Sequence, residues 1–336
     1  MTMRIIVFVT MRLKDYIMIK NNKKENNLRL FLTIFLSLFI LSLSAEECEV
    51  SKWGSDDEIG NANLITHNSI LKASKLIKTG KVYGLGIIID ANTPAYPPRS
   101  LSLQVVQPNQ QFGNQQSPNS TYNDDIFQGW FGIGSQLDGL GHLGGPDGTF
   151  YNCNKGKDFA QIDGLTKLGI ETVPPIVARG IVLNMADHFG VDYLDAGRSF
   201  SVEDVKAVEK KQGTPIKKGD VVIFHTGWTD AKLKSDPVTW GSGEPGQSPE
   251  VAEYLASKEV VAVGADTWGL DVIPPKDINK AFQGHVILLK ENGIYILETM
   301  NTGPLVKDGA LEFLFVLGHA KVRGAVQMFI NPIAIN

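Results

Sequence analysis

The sequence predicts a single mixed-sheet α/β domain, strand-rich with flanking helices, and three observations point there. Helical periods alternate with short β-branched runs, the runs outnumber the helices, and two of the runs follow one another across a bare turn. A doubly wound parallel sheet would separate every pair of strands by a helix, so a mixed sheet is the better expectation. The 336 residues are 43% hydrophobic and 20% charged, enough to bury a sizeable core. The 34 Gly and 16 Pro indicate a turn-rich fold and not a low-complexity chain.

The elements follow in order. Lys20, Lys23, Lys24 and Arg29 precede or open the apolar run LRLFLTIFLSLFILSLSA, which gives way at once to the acidic EECEV. A basic region, an apolar stretch of about 14 residues and small residues at Ser42, Ser44 and Ala45 match a cleaved secretory signal over residues 1–45. The run is shorter than the roughly 20 apolar residues of a spanning helix, so no stable membrane insertion is expected once the signal is removed. Residues 46–336 are then an exported domain, periplasmic or secreted. In such a compartment the two cysteines, Cys48 and Cys153, are expected to pair.

Helices are predicted over 66–80, 201–213 and 248–259. The first places Ile70, Leu71, Ala73, Leu76 and Ile77 on one face, the second has Ser201 as cap and Gly213 as stop, and the third puts Pro249 behind a Ser cap. Strands are predicted over 81–90, 101–107, 177–185, 220–228 and 259–268, and in the pair 285–290 and 293–300 joined by a hairpin loop at Glu291–Gly293. The stretch from Leu314 to Ile335 continues in the same style.

Charge narrows the function. Setting aside residues 1–45, with seven Lys/Arg and two Asp/Glu, leaves 25 basic and 34 acidic residues, a net charge of −9. That balance, with no basic patch, argues against nucleic acid and anionic surfaces and for a small-molecule substrate.

The stretch GSQLDGLGHLGG, Gly134 to Gly145, contains GLGHLG and so satisfies the dinucleotide fingerprint letter for letter. That fingerprint needs a helix opening on it. The residues that follow, GPDGTFYNCNKG, have no apolar period and include Pro146, so the nucleotide reading fails. A second reading has chemistry. Gln136 and Asp138 are two apart and share one face of an extended segment, and the turn Gly139–Gly141 lets His142 fold back toward them. A carboxylate beside an imidazole can hold a metal or move a proton, and it can also be a structural pair.

The pattern resembles the cyclase family that includes bacterial kynurenine formamidases and isatin hydrolases, whose signature is H-x-G-T-H-x-D-x-P-x-H. The aligned segment runs from Gly132 to His142: Gly134, Asp138 and His142 match, and Ser135 stands for the threonine. SKWGSDDEIGNANLIT (51–66), GDVVIFHTGW (219–228), VGADTWG (263–269) and GHVILLKENGIYILETMN (284–301) fall in the family's order. The likeness covers nearly the whole mature region and implies the cyclase, kynurenine formamidase-like fold. Two departures stand out, because Gly132 and Gln136 occupy the places of two metal-binding histidines.

The resemblance implies a metal site of Gln136, Asp138, His285 and Glu298, with Asp138 and His142 catalytic and His142 the general acid and base. On ligand type the cofactor is a divalent metal, Zn²⁺ or Mn²⁺, with Mg²⁺ also suited to an oxygen-rich set. The implied activity is arylformamidase-like hydrolysis of N-formylkynurenine or a related cyclic amide or ester, as in tryptophan catabolism. A homodimer or higher homo-oligomer is implied as well. A cyclase or dehydratase would use the same residues, and the missing histidines also suit an exported binding protein on a hydrolase scaffold. Of the other histidines, His225 is a candidate pocket residue, while His67, His188 and His319 read as structural. Trp130, Phe131, Trp228 and Trp268 read as core, with Trp130 and Phe131 placed to meet an aromatic substrate.

Overall fold

The computed structural model describes residues 48–106 and 123–336, so the cleaved signal expected over 1–45 lies outside the described residues, as does Gln107 at the end of one expected strand. Nine strands form the main sheet: β1 (Val82–Gly84), β2 (Gln136–Asp138), β3 (Ile176–Asn184), β4 (Val221–His225), β5 (Ala262–Ala265), β6 (Tyr295–Glu298), β7 (Glu312–Leu317), β8 (Gln327–Phe329) and β9 (Ile333–Ile335). Their order is β1-β9-β7-β3-β4-β5-β6-β2-β8. The central four, β3 to β6, are parallel, and the strands on both sides join antiparallel. The sheet is mixed, as the sequence predicts.

Its centre, however, is a run of parallel strands with crossovers and not a set of hairpins. Parallel neighbours need a long connection that climbs back over the sheet, and the sequence supplies helices for it. Helix α2 (Val202–Gln212) lies between β3 and β4, and α3 (Pro249–Ser257) between β4 and β5. Ser201 and Asp204 close a capping box at the start of α2, worth about 1 kcal/mol, and Gly213 ends it at φ +69. Every residue of β4 and β5 is buried, which is why VVIFH and AVGA read as unbroken apolar runs.

The same requirement corrects the hairpin expected over 285–300. β5 and β6 are parallel, so the chain between them must cross over, and it does so as a helical turn at Gln283–His285 continued by a π-helix at Val286–Glu291. Ile287, Leu288 and Leu289 are buried in that helix. A short apolar run has no readable period, so strand and buried helix look alike in sequence. Only the second half of the expected pair, Tyr295–Glu298, is a strand.

Three further boundaries shift. The strand expected over 81–90 stops at Gly84, where glycines at 84 and 86 let the chain run against Asn331 and Ile330. Residues Leu101–Val106 pair with Asp124–Gly129 as a separate two-stranded arm, mostly solvent-exposed. Helix α1 (His67–Ser74) is shorter than 66–80, begins in a Thr66–Ser69 capping box, and leaves Leu71 and Ile77 exposed, so the predicted apolar face is only partly used.

The N-terminal stretch clamps the rear of β6. The Asn61 backbone N–H donates to the Gly293 carbonyl at 2.7 Å and the Asn61 amide to Val260 at 2.9 Å. A Cβ at Gly60 would stand 2.3 Å from the Gly293 oxygen, so glycine is required there. Cys48 and Cys153 are disulfide-bonded, as expected. Among the described residues no helix is long and apolar enough to cross a membrane.

Candidate active site

Strand register builds the site. On β2, Gln136 lies directly opposite Glu298 of β6, and Asp138 lies opposite Gln327 of β8. Directly opposed residues point to the same side of a sheet, so Gln136, Asp138, Glu298 and Gln327 share one face. The predicted alternation of Gln136 and Asp138 is seen directly, since the Gln136 Nε2 donates to Asp138 Oδ1 at 3.1 Å. After Asp138 the chain turns back, with the His142 N–H donating to the Gly139 carbonyl at 3.0 Å. That turn brings His142 Nε2 to 3.8 Å from Asp138 Oδ2.

His285 reaches the same face from the helical crossover, and its aim is fixed from behind. Its Nδ1 lies 3.0 Å from Asp271 Oδ2, which also accepts the His285 backbone N–H at 3.1 Å. Nε2 then faces Glu298 Oε1 at 3.2 Å and Asp138 Oδ2 at 3.9 Å. The ligand-capable atoms of Asp138, His285 and Glu298 all lie within 4.8 Å of one another, and all three residues are buried.

Two observations show that this set suits a divalent cation. Asp138 Oδ2 is buried without a hydrogen-bond partner, a costly state for a carboxylate oxygen. The imidazole is also held by a carboxylate at its far nitrogen, the usual support of a metal-ligating histidine. Gln136 meets the two carboxylates with its nitrogen: Nε2 donates to Glu298 Oε2 at 2.6 Å as well as to Asp138. Presenting Oε1 instead takes only a half-turn of the amide.

The protonation pattern belongs to a site that holds protons where a cation would sit. Burial pushes the Glu298 carboxyl up to about 8, and the neighbouring Asp138 charge pushes in the same direction. Burial alone would lower His285, but its hydrogen bonds to Asp271 and Glu298 override that and raise it well above the usual imidazole range. His142 is different. Burial lowers its pKa, only partly opposed by Asp138, so its imidazole is neutral near pH 7.

Four residues that the sequence reading passes over complete the surroundings. Gln327 Nε2 donates to Asp138 Oδ1 at 2.7 Å and lies 3.4 Å from His142 Nε2. Asp271 orients His285, and Glu244, fully buried, accepts the N–H groups of Trp268 and Gly269 at 2.6 and 3.1 Å. Arg99 donates to the Gly132 carbonyl at 2.7 Å. Gln327 and Asp271, like Glu298, are polar side chains set among apolar neighbours, and each needs a partner when buried.

Three of the other expected histidines have partners of their own. His225 ends β4, 2.7 Å from Thr302 Oγ1 and 3.8 Å from Asp266 Oδ2, and lines a separate cleft with Asn184 and Asp192. His188 pairs with Asp204 at 2.9 Å, His319 bonds the Ile170 carbonyl at 3.0 Å, and His67 opens α1. Trp228 and Trp268 are core, joined by Trp240, whereas Trp130 is half exposed. Phe131 stacks edge-on against Phe329 at 5.4 Å.

Comparison with known proteins gives the family and the fold. The cyclase family model matches residues 83–272, more than half of the chain. The isatin hydrolase of Roseibium aggregatum is 29% identical over 113 residues, 32% of this chain and 42% of that protein, so the match spans about two fifths of the curated relative. The crystal structure of a novel cyclase, at 28% identity, superposes with a TM-score of 0.77 over 85% of this chain and 96% of its own. Isatin hydrolase A from Labrenzia aggregata shares the fold at 16% identity, with a TM-score of 0.58 over 80% and 97% of the two chains. The large mixed sheet with flanking helices is common to them, and the chain belongs to the cyclase family.

Proposed function

We propose that the protein is an exported, metal-dependent hydrolase of a small amide or cyclic amide, similar in chemistry to arylformamidases and isatin hydrolases. The observation that carries this reading is the convergence of Asp138, His285 and Glu298 on one point, with the neutral imidazole of His142 beside them. Asp138 Oδ2, His285 Nε2 and Glu298 Oε1 would hold a divalent cation, Zn²⁺ or Mn²⁺ on ligand type, with Gln136 Oε1 as a fourth ligand after its amide turns. When bound, that cation polarises the substrate carbonyl and makes water a stronger acid.

The chain's own residues do the rest. His142 is neutral near pH 7 and takes the proton of the attacking water at Nε2, then delivers it to the leaving nitrogen. Gln327 Nε2, 3.4 Å away, holds that ring nitrogen toward the site. Asp271 fixes the tautomer of His285 through Nδ1, leaving Nε2 to face the cluster. Export is supported by the leader-like segment and the disulfide.

The test is turnover. Purified protein loaded with Mn²⁺ or Zn²⁺ is expected to hydrolyse N-formylkynurenine, isatin or a simple lactone, and no turnover across that panel overturns the reading. A second reading, a binding protein on a hydrolase scaffold, draws on the Gln136 amide that bridges the two carboxylates where a cation would sit. Elemental analysis separates the two, since a binder would carry no metal and would keep its ligand in the presence of chelator.

A further inference from the structure

Arg99 and Gly132 stand at the two feet of the exposed arm, where the chain leaves and re-enters the body beside the site. The Arg99 Nη1 donates to the Gly132 carbonyl at 2.7 Å. A Cβ on Gly132 would stand 2.6 Å from that same Nη1, 2.8 Å from Arg99 Cζ and 2.7 Å from Gln327 Oε1. Glycine at 132 therefore opens the seat in which the guanidinium lies, next to the glutamine that bridges Asp138 and His142.

Among the described residues the guanidinium is a cation without a dedicated counter-ion: its one hydrogen bond is to a backbone carbonyl, and no carboxylate lies in ion-pair contact with it. A guanidinium carries five N–H donors in a planar fork, so most of its capacity is unused. Three residues earlier, Tyr96 lies against Trp268 at 5.6 Å and Phe282 at 6.4 Å, and Phe282 meets His285 edge-on at 5.4 Å. The segment that delivers the cation thus also delivers one side of an aromatic wall running to the candidate metal ligand.

We propose that Arg99 is the anion receptor of the active site, and that the site takes small aromatic molecules bearing a carboxylate. The guanidinium fork meets the carboxylate in two parallel hydrogen bonds, while the ring lies along Tyr96, Trp268 and Phe282. Arg99 then acts as a specificity-determining residue. The inference rests on the hydrolase reading for where the ligand sits, and it is tested by binding alone.

Calorimetric titration of the full protein with 2-aminobenzoate and its neutral isostere 2-aminobenzamide is the experiment. The wild type is expected to favour the carboxylate by about tenfold or more, the worth of a charge-assisted pair. R99A is expected to abolish that preference, R99K to restore part of it, and G132A, which fills the seat without touching the charge, to weaken it. Equal binding of the two compounds by the wild type, binding of neither, or a preference that survives R99A overturns the proposal. If the turnover panel is silent while the Arg99-dependent preference is found, the hydrolase reading fails and the anion receptor stands.

Discussion

His285 Nδ1 stands 3.0 Å from Asp271 Oδ2, and the same oxygen accepts the His285 backbone N–H at 3.1 Å. One carboxylate therefore fixes both the ring and the turn of helix that carries it, and Asp271 is steadied in turn by the Gln247 amide at 3.0 Å on its other oxygen. Replacing Asp271 by Asn keeps the shape and removes the charge. Metal affinity is expected to fall about 10- to 100-fold, the usual cost of losing such a support. A D271N protein that binds Mn²⁺ or Zn²⁺ as tightly as the wild type would show that His285 is not a ligand.

Protons held by the metal-free cluster in chelator-treated protein give a signed pH dependence. Glu298 rises to about 8 in the folded protein from an ordinary 4.5, and His285 is raised as well. A raised pKa adds stability that is fully present below the unfolded value and is lost as pH climbs through the folded one. Chelator-treated protein is thus expected to lose melting temperature as pH climbs from 4.5 through about 8, and metal-loaded protein to lose much less. Metal binding below pH 8 should release protons, measurable as a heat that varies with the ionisation enthalpy of the buffer. In E298Q that share of the proton release should vanish.

Gln136 offers a sharper contrast between the two states. Its Nε2 donates to Asp138 and Glu298 at once, separating two buried carboxylates. In Q136A both oxygens lose a donor, and the metal-free protein is expected to be less stable by about 1–3 kcal/mol. Bound metal would neutralise the same two carboxylates through their other oxygens, so the penalty should shrink on loading. Denaturant melts of Q136A with and without metal would show it, and an equal loss in both states would mean that Gln136 does not share the cation's place.

Much of this was legible because the site is written in short-range geometry. Gln136 and Asp138 alternate on a strand, and Gly139–Gly141 fold His142 back, so period and turn chemistry were enough to bring three site residues together. Glu298 is a carboxylate inside the apolar run IYILETM, and Gln327 is an amide within VQMFI, so each shows in the sequence as a polar group in need of a partner. What was not legible depends on register and crossover. Nothing local says that Gln327 pairs opposite Asp138, or that HVILLK must be helical because β5 and β6 run parallel. Arg99 was hidden for a related reason, since its neighbour Gly132 is 33 residues away across the arm. The stretch 51–66, conspicuous in sequence, serves packing: Asn61 and Gly60 lock onto Gly293 behind β6.

His142 is the one titratable group of the cluster whose lowered pKa leaves it neutral at pH 7, and it is also the most exposed, with about a fifth of its side chain open. A base must lose its proton before it can work, so activity should rise with pH along a limb lying below the ordinary imidazole value of 6.5. H142Q keeps a polar side chain that can still meet Gln327 but cannot carry a proton. It is expected to lower kcat by about 10²- to 10⁴-fold and to erase the acidic limb, with metal affinity little changed because Asp138, His285 and Glu298 remain. Loss of metal in H142Q would instead make His142 a ligand, and an unaltered pH profile would move the proton transfer to another group.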